Sequence, residues 1–239
     1  VAYPELKVEP RRYRFRMLNA CNARFVNLNL YVANNSPDGI SLSSGVVTNP
    51  AGPAMIMVGS EGGFLPAPVT LNAPPVPFSS MSRTGSLLLA PGERADLLVD
   101  FSALEAGTRL ILYNDAPAPF PCGQEYNDYY YGSQNPVATP PSCGPDTRQL
   151  LRFQVIAANS PPDAGLHLEV LKPEPALLAP LGQTTPPAGV RVRELMLSEV
   201  FDSYGRLTQM LGTATERARA YMDTATETPR AGTTEVWRI

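Results

Sequence analysis

Val8-Glu9-Pro10-Arg11-Arg12-Tyr13-Arg14-Phe15-Arg16-Met17-Leu18-Asn19-Ala20 alternates between charged and apolar residues and then stops on turn formers. Tyr13, Phe15 and Met17 fall on one side and Arg12, Arg14 and Arg16 on the other, the period of two that marks a strand with one dry face. The arginine face either meets anionic neighbours or is a solvated edge. Alternating charge on a half-buried strand is ordinary, so the solvated edge is the expectation.

The same grammar recurs outward from this run. Residues 25–32 put Val26, Leu28, Leu30 and Val32 on one face, and Asn22-Ala23-Arg24 reads as the turn of a hairpin or meander with the first strand. Further runs at 54–58, 86–89, 95–101, 108–113 and 149–156 bring the total to roughly seven strands, enough for a two-sheet sandwich. In Ala90-Pro91-Gly92-Glu93-Arg94, Pro91 and Gly92 suit the two central turn positions, and Glu93 and Arg94 read as a surface pair. Residues 33–53 are rich in Asn, Ser, Gly and Pro and read as an insertion at a loop tip that carries variability rather than core. The sequon Asn34-Asn35-Ser36 is followed directly by Pro37 and carries no weight.

Composition agrees with an all-β chain. The 26 prolines and 18 glycines among 239 residues punctuate short Leu, Val and Ile runs, because Pro is excluded from ladder interiors and Gly supplies turn geometry. A net charge of −3 without basic clusters beyond the Arg12 strand argues against a nucleic-acid or acidic-lipid footprint. No apolar stretch is long enough to span a bilayer, and no signal peptide is visible. The sequence opens on Val1 rather than Met and closes within a strand-like run, Glu235-Val236-Trp237-Arg238-Ile239, so a piece of a longer polypeptide is expected, with targeting signals upstream.

Residues 157–189 lose alternation and fill with Pro, Ala and Leu, the composition of an ordered but irregular crossing segment. Beyond it, residues 191–197 start a new strand, Asp202-Ser203-Tyr204-Gly205 turns it and 207–211 returns. Residues 216–221 collect helix formers and read as either one turn of helix or a loop. The expected division is a first domain at 1–157, a linker at 158–190 and the opening of a further domain at 191–239.

Chemistry-bearing residues are sparse. His167, the single histidine, lies between two leucines with no second His or Cys at ligand spacing, and reads as a packed or hydrogen-bonded side chain. The two lysines, Lys7 and Lys172, offer no base to a serine or threonine nucleophile. Gly62-Gly63 lacks the pattern of a phosphate cradle, and Glu125 with Asp128 read as two solvated loop acids. Cys122 and Cys143 bracket a loop rich in Pro, Gly and Tyr. Their pairing would close about 20 residues and contribute about 3 kcal/mol, the alternative being two free thiols in a reducing compartment. Cys21 reads as a small half-buried filler.

Five stretches together carry a family look: the opening run, Asn19-Ala20-Cys21-Asn22-Ala23-Arg24-Phe25, Val58-Gly59-Ser60-Glu61-Gly62-Gly63-Phe64-Leu65, Ala90-Pro91-Gly92-Glu93-Arg94-Ala95-Asp96-Leu97-Leu98-Val99-Asp100-Phe101, and Thr226 through Thr233-Thr234-Glu235-Val236-Trp237-Arg238-Ile239. In order and spacing the chain resembles the bacterial multicopper oxidases of the spore-coat laccase, bilirubin oxidase and phenoxazinone synthase branch. The resemblance implies a cupredoxin-like Greek-key β-sandwich followed by the first strands of a second cupredoxin domain. It implies that 1–157 is the copper-free middle domain and that 191–239 begins domain three, whose His-Pro-x-His-x-His ligand run would lie just downstream of Trp237.

The parent would be an oxidase passing single electrons from phenols, aromatic amines, bilirubin-type pigments or metal ions to dioxygen. The same resemblance implies copper in the parent and none bound by this chain alone. No catalytic, cofactor-binding or metal-binding residue is assigned, and the chain alone should be inactive, serving as scaffold between flanking cupredoxin domains. Pro121, Cys122, Gly123, Tyr129 and Tyr130 resemble the rim of the substrate entrance in relatives, where aromatic rings would stack on a small aromatic substrate. The other reading of that loop is a tyrosine-rich surface segment held by a disulfide. Neither nucleic acid nor membrane is expected as a partner, and a secreted, periplasmic or spore-coat setting follows from the resemblance and the disulfide. Glu61 replaces the family's usual Asp in Gly-Ser-Asp-Gly-Gly. The rival class is a segment of a copper-free structural or interaction protein of the bacterial envelope that shares the fold, distinguishable by the sequence beyond Ile239.

Overall fold

The computed structural model describes residues 4–79, 85–118, 120–121, 147–161, 163–165, 168, 188–213, 215 and 218–239. The chain divides into two compact units, Val1–Leu178 and Ala179–Ile239.

The first unit is a sandwich of two sheets. One holds β1 (Glu5–Val8), β11 (Gln149–Val155), β10 (Arg109–Asn114), β3 (Val26–Val32) and β8 (Leu87–Leu89) in that order. The other holds β2 (Arg12–Leu18), β9 (Arg94–Asp100), β6 (Met55–Ser60) and β7 (Gly63–Leu71). Alternate residues of the two sheets meet between them. Leu28 and Leu30 from β3, Leu110 and Leu112 from β10, Met55 from β6 and Leu97 and Val99 from β9 form one buried cluster with Phe101 and Phe153. Tyr13, Phe15 and Met17 pack against that cluster, as their alternation requires. Tyr13 and Phe15 both meet Phe101 edge-on, at 5.8 and 6.4 Å between ring centres. The strand-rich, cupredoxin-like sandwich expected from the sequence is the architecture found.

Several local expectations are corrected. The opening run is two strands rather than one: Pro10 interrupts it, Arg11 N donates to Glu9 O across the break, and β1 and β2 join different sheets. For the same reason β2 and β3 are not a hairpin. The chain crosses from sheet to sheet between them, and β3 is buried on both faces because the second sheet covers Leu28 and Leu30 on one side while Ile40 covers Tyr31 and the segment at Val76 covers Asn27 and Asn29 on the other. The 33–53 region is not coreless. It forms the small β4 (Leu42–Ser43) and β5 (Val46–Val47) hairpin and lays Ile40, with Leu42 and Val47 beside it, over Tyr31, Ile111 and Tyr113 on the outer face of the five-stranded sheet. Burial, together with the Asp115 charge, pushes the Tyr31 hydroxyl up to about 12.

β7 had no counterpart in the sequence reading. It carries Pro66 and Pro68, yet it forms a sheet edge, where a missing N–H costs nothing.

The arginine face lies on the other edge strand of this sheet. Arg14 pairs with Asp96 across the ladder, and Arg12 N donates to Asp163 at 2.6 Å while Arg11 holds the same carboxylate at 2.7 Å. Glu9 reciprocates by accepting from Ser160 N at 2.9 Å and Ser160 Oγ at 3.1 Å. Residues 159–163 are thereby tied to the β1–β2 connection by two carboxylates.

The second unit is a three-stranded sheet with β12 (Arg191–Phe201) between β13 (Leu207–Thr213) and β14 (Glu235–Arg238). Asp202 caps the β12–β13 turn, its Oδ1 accepting from Tyr204 N and Arg206 N, with Gly205 at φ 74°. β14 runs parallel to β12, and the Arg193 guanidinium grips Glu235 through Nε and Nη2 in an almost fully buried pair. Trp237 Nε1 donates to the same carboxylate at 3.1 Å. Where residues 216–221 are described they are not helical, since Arg219 makes an antiparallel bridge with Leu211.

Candidate functional site

Two of the motifs that carry the resemblance meet at one asparagine. Asn19 is buried just past the end of β2, where its N–H donates to Glu93 O and its carbonyl accepts from Gly92 N. Its side-chain nitrogen donates to Arg24 O at 2.8 Å and Leu89 O at 3.0 Å, and its Oδ1 accepts from Cys21 N. One side chain therefore ties the post-β2 turn to the 90–94 turn. That second turn has the geometry its sequence asks for: Glu93 N donates to Ala90 O and Gly92 sits at φ 84°, a conformation closed to most side chains.

Glu93 and Arg94 are not partners. The Glu93 carboxylate accepts from Ala90 N at 2.7 Å, whereas Arg94 pairs with Glu61 at 2.8 Å. Glu61 occupies the left-handed region at φ 58° at the β6–β7 turn. Its backbone N donates to Arg94 O while its carboxylate accepts from Arg94 N. The departure from the usual Asp thus keeps a carboxylate that closes this corner. Beside it lies an open groove of about 350 Å³ walled by Arg16, Ser60, Phe64 and Asp96 among others. Arg14, hydrogen-bonded to Asp96, holds that carboxyl below the ordinary range. These residues form a structural knot, with no nucleophile and base in contact.

The region approaching the expected substrate rim is built on β3 and β10. Asn114 is fully buried at the end of β10. Its Oδ1 accepts from Asn27 N at 2.9 Å and Ala116 N at 3.0 Å, and its Nδ2 donates to Thr147 O at 2.9 Å. Its backbone N donates to Arg148 O at 2.7 Å. Asp115 follows, one oxygen accepting from Asn27 Nδ2 at 2.6 Å and the other from Phe78 N at 2.7 Å. Burial pushes the Asp115 carboxyl up, against the downward pull of those hydrogen bonds. Phe78 meets Phe120 edge-on at 5.4 Å, and Phe120 stacks on Phe25 at 4.0 Å. The Phe120–Pro121 peptide is cis and Pro121 is exposed.

Of the expected rim, only Pro121 is among the described residues; Cys122, Gly123, Tyr129 and Tyr130 lie outside them, as do Cys143 and His167. Cys21 is exposed rather than half-buried, because the turn projects it away from the sheets. Among the described residues no three His, Cys, Asp or Glu side chains gather as a metal site, and no helix is long and apolar enough to cross a membrane. The asparagines of β3 and β10 were invisible as a site in sequence, because an alternating Asn in a strand reads as a solvent face. Asn27 and Asn29 in fact face a covered surface and hold Val76 from beneath.

No family model matches the chain. Curated relatives do. The chain is 32% identical over 99% of its length to a laccase of Bacillus subtilis, of which it covers 34%. It is equally 32% identical to a laccase of Bacillus stratosphericus over the same shares of both chains. Against multicopper oxidase LPR1 homolog 5 of rice it is 31% identical over its whole length and 29% of the relative. The chain belongs to the multicopper oxidases, on the laccase-like side, and spans about a third of the length of these relatives. Membership implies copper in the parent protein.

Proposed function

We propose that this chain is the copper-free middle cupredoxin domain of a laccase-like multicopper oxidase, with its linker and the opening strands of a third domain, and that it serves as the scaffold between the copper-binding domains. The observation that carries this reading is collinear identity to laccases across 99% of a chain that covers only 34% of the relative. The motif residues support it, because Asn19, Gly92, Glu61 and Arg94 are spent on turns and sheet corners, as a scaffold requires. Copper of this kind takes imidazole, thiolate and thioether donors, and a sequence with one histidine does not fit the group. The copper chemistry, one-electron oxidation of phenols, aromatic amines, bilirubin-type pigments or metal ions with reduction of dioxygen to water, belongs in this reading to the flanking domains.

What this chain's residues contribute is position. Supporting shells around metal centres tolerate little displacement, so a rigid middle sandwich is a functional part even without a ligand. The division follows the earlier boundaries: 1–157 as the middle domain, 158–190 as linker and 191–239 as the start of the next. Within it, Pro121, Cys122, Gly123, Tyr129 and Tyr130 border the substrate entrance, with Cys122 and Cys143 paired in an oxidising, secreted, periplasmic or spore-coat setting.

The test is elemental analysis of copper in this chain and in its reading frame extended past Ile239. Copper in the extended protein alone, with phenol oxidation, is the expected result. Copper in neither would overturn the oxidase reading in favour of a ligand-free structural relative.

A further inference from the structure

Of the three arginines on the outward face of β2, two meet an anion. Arg12 faces the Asp163 carboxylate, and Arg14 takes both oxygens of Asp96, Oδ1 through Nε at 2.8 Å and Oδ2 through Nη2. Arg16 is exposed and adds to the positive field that lowers Asp96, but it makes no hydrogen bond and no ion pair with any of the described residues. The strand register sets Arg16 in a row across the sheet: it stands opposite Asp96, Asp96 opposite Gly59, and Gly59 opposite Phe64. A Cβ at Gly59 would stand 2.8 Å from Gly63 O and 3.2 Å from Asp96 Cβ, so a side chain there would collide with the neighbouring backbone. The row therefore keeps a gap between a guanidinium and an aromatic ring that is 55% exposed, and this gap belongs to the open groove of about 350 Å³.

The charges of the groove do not balance. Its walls hold three arginines, Arg14, Arg16 and Arg94, against two carboxylates, Glu61 and Asp96. Arg94 pairs with Glu61 at 2.8 Å and Arg14 with Asp96, which leaves the one positive charge of Arg16. A guanidinium offers two parallel N–H groups that match a carboxylate, and an exposed ring offers a flat apolar wall. Phosphate dianions and nucleic acid fit poorly, because a second negative charge would meet Glu61 and Asp96. A volume of about 350 Å³ is that of a small-molecule site rather than of a seat for a folded partner.

We propose that this groove is a binding site for a small aromatic monocarboxylate, its carboxylate held by Arg16 and its ring lying along Phe64 over Gly59. The site stands apart from the oxidase reading, since every residue in it belongs to the four-stranded sheet and its turns. Arg16 has no partner to give up among the described residues, so binding breaks no ion pair. The ligand's charge completes the pairing that Asp163 and Asp96 supply to the other two arginines of the strand.

The experiment titrates benzoate into the protein extended past Ile239 by calorimetry, with acetate, benzyl alcohol and inorganic phosphate as comparison ligands. Benzoate is expected to bind about tenfold more tightly than acetate, which lacks the ring, and than benzyl alcohol, which lacks the charge. Arg16→Gln should weaken benzoate about tenfold or more and Phe64→Ala severalfold, whereas Arg109→Gln, which removes an exposed charge from the other sheet, should leave it unchanged. Arg16→Gln should keep the parental urea midpoint, because no described partner is lost. Arg16→Lys, which keeps the charge without the planar fork, is the second variant and should weaken benzoate severalfold. Absence of benzoate binding by the folded, unsubstituted protein, unchanged affinity in Arg16→Gln, or an equal loss in Arg109→Gln would overturn the site. Acetate or phosphate bound as tightly as benzoate would overturn the choice of an aromatic monocarboxylate.

Discussion

Phe101 joins the first unit's two sheets through three aromatic neighbours, and its truncation makes a quantitative test. It closes the 90–101 motif, is completely buried, and meets Tyr13, Phe15 and Phe153 at centroid distances of 5.8, 6.4 and 5.5 Å. Phe15 and Phe101 belong to one sheet's side of the sandwich and Phe153 to the other, so the ring spans the gap. Phe101→Ala removes the phenyl and leaves a cavity walled by aromatic rings that cannot collapse far, which places the loss at about 4 kcal/mol. With a urea dependence of about 2 kcal/mol per molar, the midpoint falls by about 2 M. Phe101→Leu retains most of the volume and should lose about 1 kcal/mol, a shift of about 0.5 M. The assay is urea unfolding read by amide exchange in peptides covering Leu97–Phe101 and Arg109–Asn114, which restricts the measurement to the first unit. A shift below about 0.5 M for Phe101→Ala, or no separation between the Ala and Leu variants, would refute the assignment of Phe101 as the joint of the sandwich.

The other predictions are briefer. Gly52→Ala should destabilise by about 1–3 kcal/mol through overpacking and so lower the melting temperature, because a Cβ there would stand 2.9 Å from Leu30 Cγ and 3.0 Å from Leu30 O; Gly62→Ala, with open space around it, should be near neutral in the same scan. Asn19→Ala leaves Leu89 O and Arg24 O without their donor and should cost about 2 kcal/mol, read as a lower urea midpoint. Two carboxylates should give pH dependences of opposite sign. The Arg12 amide and the Arg11 guanidinium hold Asp163 below its ordinary 3.8, so its contribution is full above that value and is lost as pH falls through the lowered one; amide exchange at 157–165 should show that segment released at acid pH in the parent and already at neutral pH in Asp163→Asn. Burial raises Asp115, so its contribution is greatest below 3.8 and is lost as pH rises through the raised value; Asp115→Asn should flatten that part of the stability profile measured between about pH 3 and 7.

The parts of this fold legible in the sequence are those where one short-range rule decides. Alternation placed Tyr13, Phe15 and Met17 against the core, and Pro91-Gly92 drew the turn that Glu93 N closes on Ala90 O. What escaped needed knowledge of the neighbour. Periodicity cannot say that β2 and β3 lie in different sheets, because both strands look the same from within. Nor can it show that the 33–53 region has a core of its own, since Tyr31, Ile111 and Tyr113, the residues it covers, lie far along the chain from Ile40 or on the face assumed to be wet. Prolines hid β7 because edge position, which makes them harmless, is a property of the sheet rather than of the strand. The buried Asn114 hydrogen bonds escaped for the same reason: an asparagine in a strand reads as a solvent face until the segments it joins are seen together.

These failures share a direction that bears on function. The residues that make the family recognisable, Asn19, Gly92, Glu61 and Arg94, satisfy backbone groups at corners where strands turn, and such corners accept few alternatives because an unpaired buried carbonyl or a wrong φ is penalised directly. They therefore mark the corners of the sandwich rather than any chemistry. Asn27, Asn114 and Asp115, outside those motifs, do the equivalent work at the ends of β3 and β10, where their side chains tie the two strands to Phe78 and Thr147.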